Sequence, residues 1–534
     1  MNDERFDIVI ENGRIIDGTG TPWYRGDVGI VDDRITAIGV LTDAHAVRRI
    51  DASGHVVCPG FIDLHTHADL HHLAQPDASP RVMQGVTTDV IGQDGLSYAP
   101  VDGNTIEFFL NTMKSINGRP PDLDYSWRTV DDFLARFDRR TSINVAYLLP
   151  HGAIQALAMG DISDRRPTSS EMRRMRDLVA DGMRAGAVGL STGLTYAPCS
   201  YATSEELIDL CREVARFGGV FMPHLRSYGV GAQDAMEEAV HISRESGVAL
   251  HLTHHQVVFP VNEHRVQAYV DILDDARAEG LDVTCGSYPY VAGSTFIRGM
   301  FPSWTQRLSP SEFIDTLNNP VQKARVRHEM EVVGCDGAHG VPMDWSKIQV
   351  SGVKTPASER WIGHRITDAA KVTGQEAFDF VSDLLIAEEG EVACVSFFGY
   401  EEGVQAIMRH PAHLVESDAI MSGSRPHPRA WGCHARYLAR YVRELGVLTW
   451  EQAIRKMTGG PAARIGLVDR GVLKVGLAAD IVVFNPETIQ DTATFTEPMQ
   501  HPTGVKTVIV NGAIVVDDGT HTHVRAGRAL RRGC

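Results

Sequence analysis

His65 and His67 close an apolar run, Gly60-Phe61-Ile62-Asp63-Leu64, as a His-x-His pair. Side chains along a strand repeat every two residues, so both imidazoles point to one side. Two imidazoles at the mouth of a strand make half a site for an ion such as Zn²⁺. Further groups of suitable type end later apolar runs: His224 after 219–223, His254 and His255 after 248–253, and Asp418 at the end of 413–418. Singly, each suits an ordinary core or surface position. Together they recur at one point of a repeating unit. Imidazoles hold Zn²⁺ while leaving a position for water, whose pKa the ion lowers towards ~7. A carboxylate beside that water can take its proton and return it. The chemistry expected is metal-assisted hydrolysis.

The elements that must position these groups are short apolar runs at 61–67, 86–92, 143–149, 187–191, 219–223, 248–253, 281–287 and 413–418. Amphipathic charged stretches such as 171–185, 204–217 and 265–279 lie between several of them. Strand–helix alternation repeated eight times predicts an α/β fold, a (β/α)₈ TIM barrel rather than an open doubly wound sheet. The rhythm fails over 296–372, around Phe301-Pro302-Ser303-Trp304, which reads as a lid insertion over one end of the barrel. The strand-like run 393–398 has no place in the pattern. The two chain ends read as short strands with turns: 6–11, 14–17, 27–31 and 34–38, then 480–484, 505–510 and 513–516. Asn12-Gly13, Asp32-Asp33 and Asn511-Gly512 are the turn signals. The expected organisation is a small β-sandwich built from residues 1–60 and 475–534, with the barrel, 61–474, inserted.

A chain of 534 residues suits such a barrel plus an accessory domain. A formal charge of −17 argues against nucleic acid and anionic membranes as partners. The eight cysteines include no C-x₂-C pair and read as reduced thiols of a cytoplasmic protein. The polar, acidic start, Met1 to Arg5, leads into no apolar stretch of signal-peptide type, and no run is long enough to span a membrane. A homo-oligomer stays open.

The residue pattern resembles the amidohydrolase superfamily and, more narrowly, the N-acyl-D-amino-acid deacylase (D-aminoacylase) family. The markers run over nearly the whole chain. They are Ile8-Val9-Ile10-Glu11-Asn12-Gly13, Gly60-Phe61-Ile62-Asp63-Leu64-His65-Thr66-His67, Gly189-Leu190-Ser191-Thr192-Gly193-Leu194-Thr195-Tyr196, Tyr288-Pro289-Tyr290-Val291-Ala292-Gly293-Ser294-Thr295, His427-Pro428-Arg429-Ala430-Trp431-Gly432 and Ala479-Asp480-Ile481-Val482-Val483-Phe484.

The resemblance implies deacylation of an N-acyl-D-amino acid, a small carboxylate-bearing amide, with one or two Zn²⁺ ions and other divalent metals as alternatives. His65 and His67 would bind one metal with Asp418, and His224 and His254 the other. A metal-bound hydroxide would attack the carbonyl, Tyr288 would help stabilise the oxyanion, and Asp418 would act as base and then as acid. Tyr288, Ser294 and Arg429 would contact the substrate.

Two positions depart from the family. Gly92-Gln93-Asp94-Gly95 stands where the family has an Asn-Cys-Gly ligand, so Asp94 takes the cysteine's place as a metal ligand able to bridge two ions. His254-His255-Gln256 stands where the family has His-His-Lys, so Gln256 faces the substrate in place of a cation and Arg429 is left as the main anchor. That second change favours another amide, such as a cyclic imide, ureido compound or β-linked dipeptide. A non-catalytic scaffold on the same fold would be expected to have shed ligands that this chain retains. His151 and the pair His71-His72 are weaker site candidates.

Overall fold

The computed structural model describes residues 5–533, so Cys534 and residues 1–4 of the amino-terminal segment lie outside it. Eight parallel strands follow one another in a single sheet: Phe61–Asp63, Val86–Ile91, Asn144–Pro150, Gly189–Gly193, Val220–His224, Ala249–Leu252, Val283–Ser287 and His413–Val415. Backbone bonds of 2.9 Å from Asp418 N to His65 O and from His67 N to Ala419 O bring the last unit back to the first. The barrel therefore closes at the very residues read above as ligands. Val86–Ile91 and Asn144–Pro150 are buried throughout. Helices cover such strands outside and side chains fill the space inside. The helices Ser169–Arg184, Ser204–Arg216 and Val266–Ala278 fall where the amphipathic stretches placed them. Thr168 and Thr203 cap the first two by accepting the N–H of Glu171 and Glu206.

Both chain ends join one nine-stranded sheet, in which Ile481–Phe484 lies antiparallel to Val56–Pro59. Alternation along that strand serves two cores. Ile481 and Val483 meet Ile10, Ile30 and Val57, while Val482 and Phe484 face the barrel helices through Met457 and Tyr437. Asn511-Gly512 turns the chain between antiparallel strands, with φ of 48° and 81°.

The expected hairpin at Asn12-Gly13 is absent. Arg5–Ile15 runs straight through it with a register shift between Ile10 and Gly13, and Asn12 has φ 64°. An Asn-Gly pair tolerates left-handed backbone, which a bulge needs as much as a turn does. The strands His45–Asp51 and Val56–Pro59 pair in parallel with Arg5–Ile15 and had no signature of their own.

Between the seventh and eighth barrel strands the excursion spans 288–412, longer than the 296–372 expected. It carries its own core, including Phe301, Phe313, Trp345, Trp361 and Phe378. The unplaced run 393–398 finds its place here. Ala393–Ser396 is the central strand of a three-stranded antiparallel sheet, between Gly293–Phe296 and Ile348–Gly352. Trp304 packs beneath Arg325, 4.3 Å from the guanidinium carbon to the ring centre. No helix among the described residues is long and apolar enough to cross a membrane. The seven described cysteines are all free and buried.

Candidate metal centre and active site

The ligand candidates come from the carboxyl ends of separate barrel strands, the end at which such folds place their chemistry. His65 and His67 follow the first strand, Asp94 the second and His254 the sixth. His224 ends the fifth, and Asp418 follows the eighth. Three of them, Asp94, His254 and Asp418, have positive φ, at 56°, 33° and 49°. Non-glycine residues adopt this region at a cost that the surrounding structure must offset, and such strain gathers at functional sites.

The strain at Asp94 has an identifiable support. Its turn is flanked by Gly92 and Gly95, both left-handed, and a Cβ at Gly92 would lie 2.2 Å from the Leu148 carbonyl oxygen. The fully buried Ser191 hydroxyl spans the turn. It accepts the Gly95 N–H at 3.0 Å and donates to the Gly92 carbonyl at 2.5 Å. Gln93 adds bonds from Nε2 to the carbonyls of Leu64, at 2.8 Å, and Val90, at 3.0 Å.

Asp94 lies between two groups of imidazoles. Its Oδ1 is 3.7 Å from His65 Nε2 and 3.7 Å from His254 Nε2. Its Oδ2 is 3.5 Å from His67 Nε2 and 3.6 Å from His224 Nδ1. Asp418 Oδ1 stands 3.7 Å from His65 Nε2 and 3.4 Å from His67 Nε2. Burial alone would raise both carboxyl pKa values. The imidazoles hold Asp94 well below its ordinary value, and Arg429 followed by His67 and His65 does the same for Asp418. Burial drives His65 down to about 3, so it is a neutral donor at pH 7.

The donor set fits a divalent metal. Asp94 Oδ1 and His224 Nδ1 are buried without hydrogen-bond partners. The other ring nitrogen of His224, Nε2, bonds Thr195 Oγ1 at 2.8 Å, and His254 Nδ1 bonds the Tyr228 hydroxyl at 2.9 Å. An imidazole anchored through one nitrogen presents the other to an ion, as metal-binding histidines do. The buried Glu416 carboxylate receives the His254 backbone N–H and holds that residue in its strained conformation.

The cavity above this cluster is lined by His67, Asp94, His224, His254 and Asp418, with Gln256, Tyr288 and Ser294 on its walls. Tyr288 follows the seventh strand, and Ser294 comes from the inserted sheet. Gln256 Nε2 donates to the Tyr288 carbonyl at 3.0 Å and so fixes the segment that carries the phenol. Arg429 lies at the back of the cluster. It is fully buried, does not line the cavity, and pairs through Nη2 with Asp418 Oδ2 at 2.8 Å. Its guanidinium also stacks on the Tyr288 ring at 4.4 Å. Its Nη2 also lies 3.5 Å from the carbonyl oxygen of Ser294 on the cavity wall, and its Nε and Nη1 are buried without hydrogen-bond partners.

Several wall residues had no role in the sequence reading. Thr195 and Tyr196 lay inside a quoted motif, and Ser191 lay there too. Tyr228 and the inserted His339 had no local signal, because only the folded chain brings them over the fifth and sixth strands. Other histidines near the barrel ends have partners outside the cluster. His255 packs on Tyr269 and His151 bonds Glu206 and Thr192 at 2.9 Å each, while His72 bonds Asp89 at 2.8 Å.

Residues 48–516 match the Amidohydrolase family. The chain belongs to that family. This amidohydrolase is 36% identical over 528 residues to a D-aminoacylase of Alcaligenes xylosoxydans xylosoxydans, covering 99% of this chain and 98% of the relative. It is 35% identical over 531 residues to an N-acyl-D-glutamate deacylase of the same organism, covering 99% and 97%. Among solved structures it resembles an N-acyl-D-glutamate deacylase of Bordetella bronchiseptica, complexed with zinc and a phosphonate inhibitor that mimics the tetrahedral intermediate. The TM-score is 0.82 at 33% identity, over 99% of this chain and 100% of that one.

Proposed function

We propose that this amidohydrolase uses zinc to hydrolyse the amide of a small N-acyl amino acid, with N-acyl-D-amino acids as its first substrate class. The observation that carries this reading is Asp94 between two imidazole groups, with the Asp418 carboxylate beside them on the cavity wall. His65, His67 and Asp418 would hold one ion and His224 and His254 a second, with Asp94 in reach of both. Bound there, zinc supplies Lewis acidity and a water of lowered pKa.

The chain's own residues supply the rest. Arg429 orients the Asp418 carboxylate through Oδ2, and that carboxylate takes a proton from the attacking water and returns it to the leaving amine nitrogen. Burial raises the Tyr288 phenol pKa, so its O–H stays protonated and donates to the carbonyl oxygen as charge builds there. Ser294 faces the same space from the inserted sheet and is a substrate contact.

One observation favours a second reading. Among the described residues no Lys or Arg lines the cavity, and Gln256 stands where the resembled family has lysine. That wall suits an amide without a free carboxylate, such as a cyclic imide or ureido compound. We place the protein in the cytoplasm, a reading supported by its seven free, buried cysteines.

The test is a substrate panel on zinc-loaded enzyme: N-acetyl D- and L-amino acids, their amides, a hydantoin and a ureido acid. Hydrolysis of the N-acetyl-D-amino acids, abolished by chelation and restored by zinc, is expected. Asp418→Asn should lower kcat by several orders of magnitude; retention of more than about a tenth of the activity would assign the proton transfer elsewhere. Cleavage of the hydantoin or ureido acid alone would favour the second reading.

A further inference from the structure

Away from the catalytic cavity, Asp77, His521 and His523 converge where the last strand of the terminal sheet meets the loop after the first barrel strand. We propose that they form a separate, structural metal site, taking a late first-row divalent ion such as Zn²⁺, which pins the carboxy-terminal tail to the barrel. None of the three lines the catalytic cavity.

One ligand atom from each residue lies within 4.8 Å of the others. His523 Nδ1 is 2.7 Å from Asp77 Oδ2, and His521 Nε2 is 2.9 Å from the Asp77 carbonyl oxygen. Asp77 Oδ1 is buried without a hydrogen-bond partner. Two imidazoles and a carboxylate are donors that suit Zn²⁺, Ni²⁺ or Cu²⁺ better than Mg²⁺ or Ca²⁺. His523 has φ 61° and Ala78, beside Asp77, has φ 47°, so both strands of the contact bend unusually to bring these side chains together.

The position gives the ion a purpose. Beyond His523 the tail runs along the third barrel strand. Val145 N donates to Arg528 O at 2.9 Å, Leu530 N to Val145 O at 2.7 Å and Arg139 N to Gly527 O at 2.7 Å. An ion shared between Asp77 and the two histidines would clamp the head of that tail. Coordination through His521 Nε2 replaces its 2.9 Å bond to the Asp77 carbonyl oxygen, moves the ring proton to Nδ1 and gives up the 2.9 Å bond from the His523 N–H. Arg525, whose Nε is 3.6 Å from Asp77 Oδ1 and whose side chain is 52% exposed, must swing towards solvent. The Arg525 ion pair is a surface contact of small worth.

The experiment uses the full-length enzyme with its catalytic centre already loaded. Zinc content is measured by elemental analysis and Tm is followed on titration with Zn²⁺ at pH 7.5, for wild type, His523→Gln and Asp77→Asn. Wild type should hold one more zinc than either variant and show a further rise in Tm. It should also resist tryptic cleavage at Arg525 and Arg528, while hydrolytic activity is the same in all three. Equal zinc content and equal zinc-dependent Tm in wild type and both variants would overturn the proposal.

Discussion

The Arg429 guanidinium stands 2.8 Å from the Asp418 carboxylate and has no exposed surface of its own. If it serves catalysis through that pairing, it does so by the carboxylate's charge and orientation. Arg429→Met should lower kcat/KM by about 10- to 150-fold, the equivalent of a charged hydrogen bond of roughly 1.5–3 kcal/mol. The loss should be equal for N-acyl amino acids and for their amides. Steady-state kinetics on matched pairs reads this directly. A loss confined to the free acids would put the guanidinium on the substrate instead.

Asp94 should govern metal content. Its oxygens face four imidazoles at 3.5–3.7 Å. Asp94→Ala should lower bound zinc and activity together, and Asp94→Cys should restore zinc binding, because a thiolate suits that ion. Wild type should accept Mn²⁺ or Co²⁺ more readily than Asp94→Cys does. Equilibrium dialysis with each metal tests the order, and full zinc retention in Asp94→Ala would reduce this residue to a turn former.

Arg81 should be a stability determinant. It is fully buried among two buried carboxylates, bonding Asp63 through Nη2 and Asp89 through Nη2 and Nε at 3.1 Å. Asp63 in turn accepts the backbone N–H of His65, at 3.1 Å, and of Ser417, at 2.9 Å, next to Asp418. Arg81→Met leaves both carboxylates without their cation. It should cost about 3–5 kcal/mol, the usual penalty for breaking a buried ion pair. Denaturant unfolding measures it, and a cost below about 1 kcal/mol would mean that the carboxylates are neutral in the fold.

His71 should contribute to acid sensitivity. Burial, and then its neighbour His72, holds its pKa down at about 3, against ~6.5 in the unfolded chain. Below pH ~6.5 the unfolded chain takes a proton that the native imidazole refuses. The stability this group contributes is complete above pH ~6.5 and is lost as pH falls towards 3. His71→Phe should therefore flatten the stability curve between pH 6 and 4. An unchanged slope in urea titrations at stepped pH would show that His71 does not titrate differently in the fold.

Much of this protein can be read from the chain alone, because barrel strands are short, buried on both faces and punctuated by helices of clear period. The eight barrel strands, most of the terminal β-segments and the candidate ligands His65, His67, His224, His254 and Asp418 carry local marks of this kind, and so does the odd residue Asp94. Other features depend on separations of tens to hundreds of residues, which no local pattern encodes. Asn12-Gly13 bulges rather than turns, because a neighbouring strand holds Arg5–Ile15 straight. Ala393–Ser396 becomes a central strand only once Gly293–Phe296 and Ile348–Gly352 flank it. Arg429 is marked by its motif, but its pairing with Asp418 is set by the fold. Thr195, Tyr228 and Ser191 became part of the site through hydrogen bonds to His224, His254 and the Asp94 turn. The chemistry of each donor is a property of its residue type. The choice of which donors face one another belongs to the closed barrel, because closure brings strand ends far apart in sequence around one buried point.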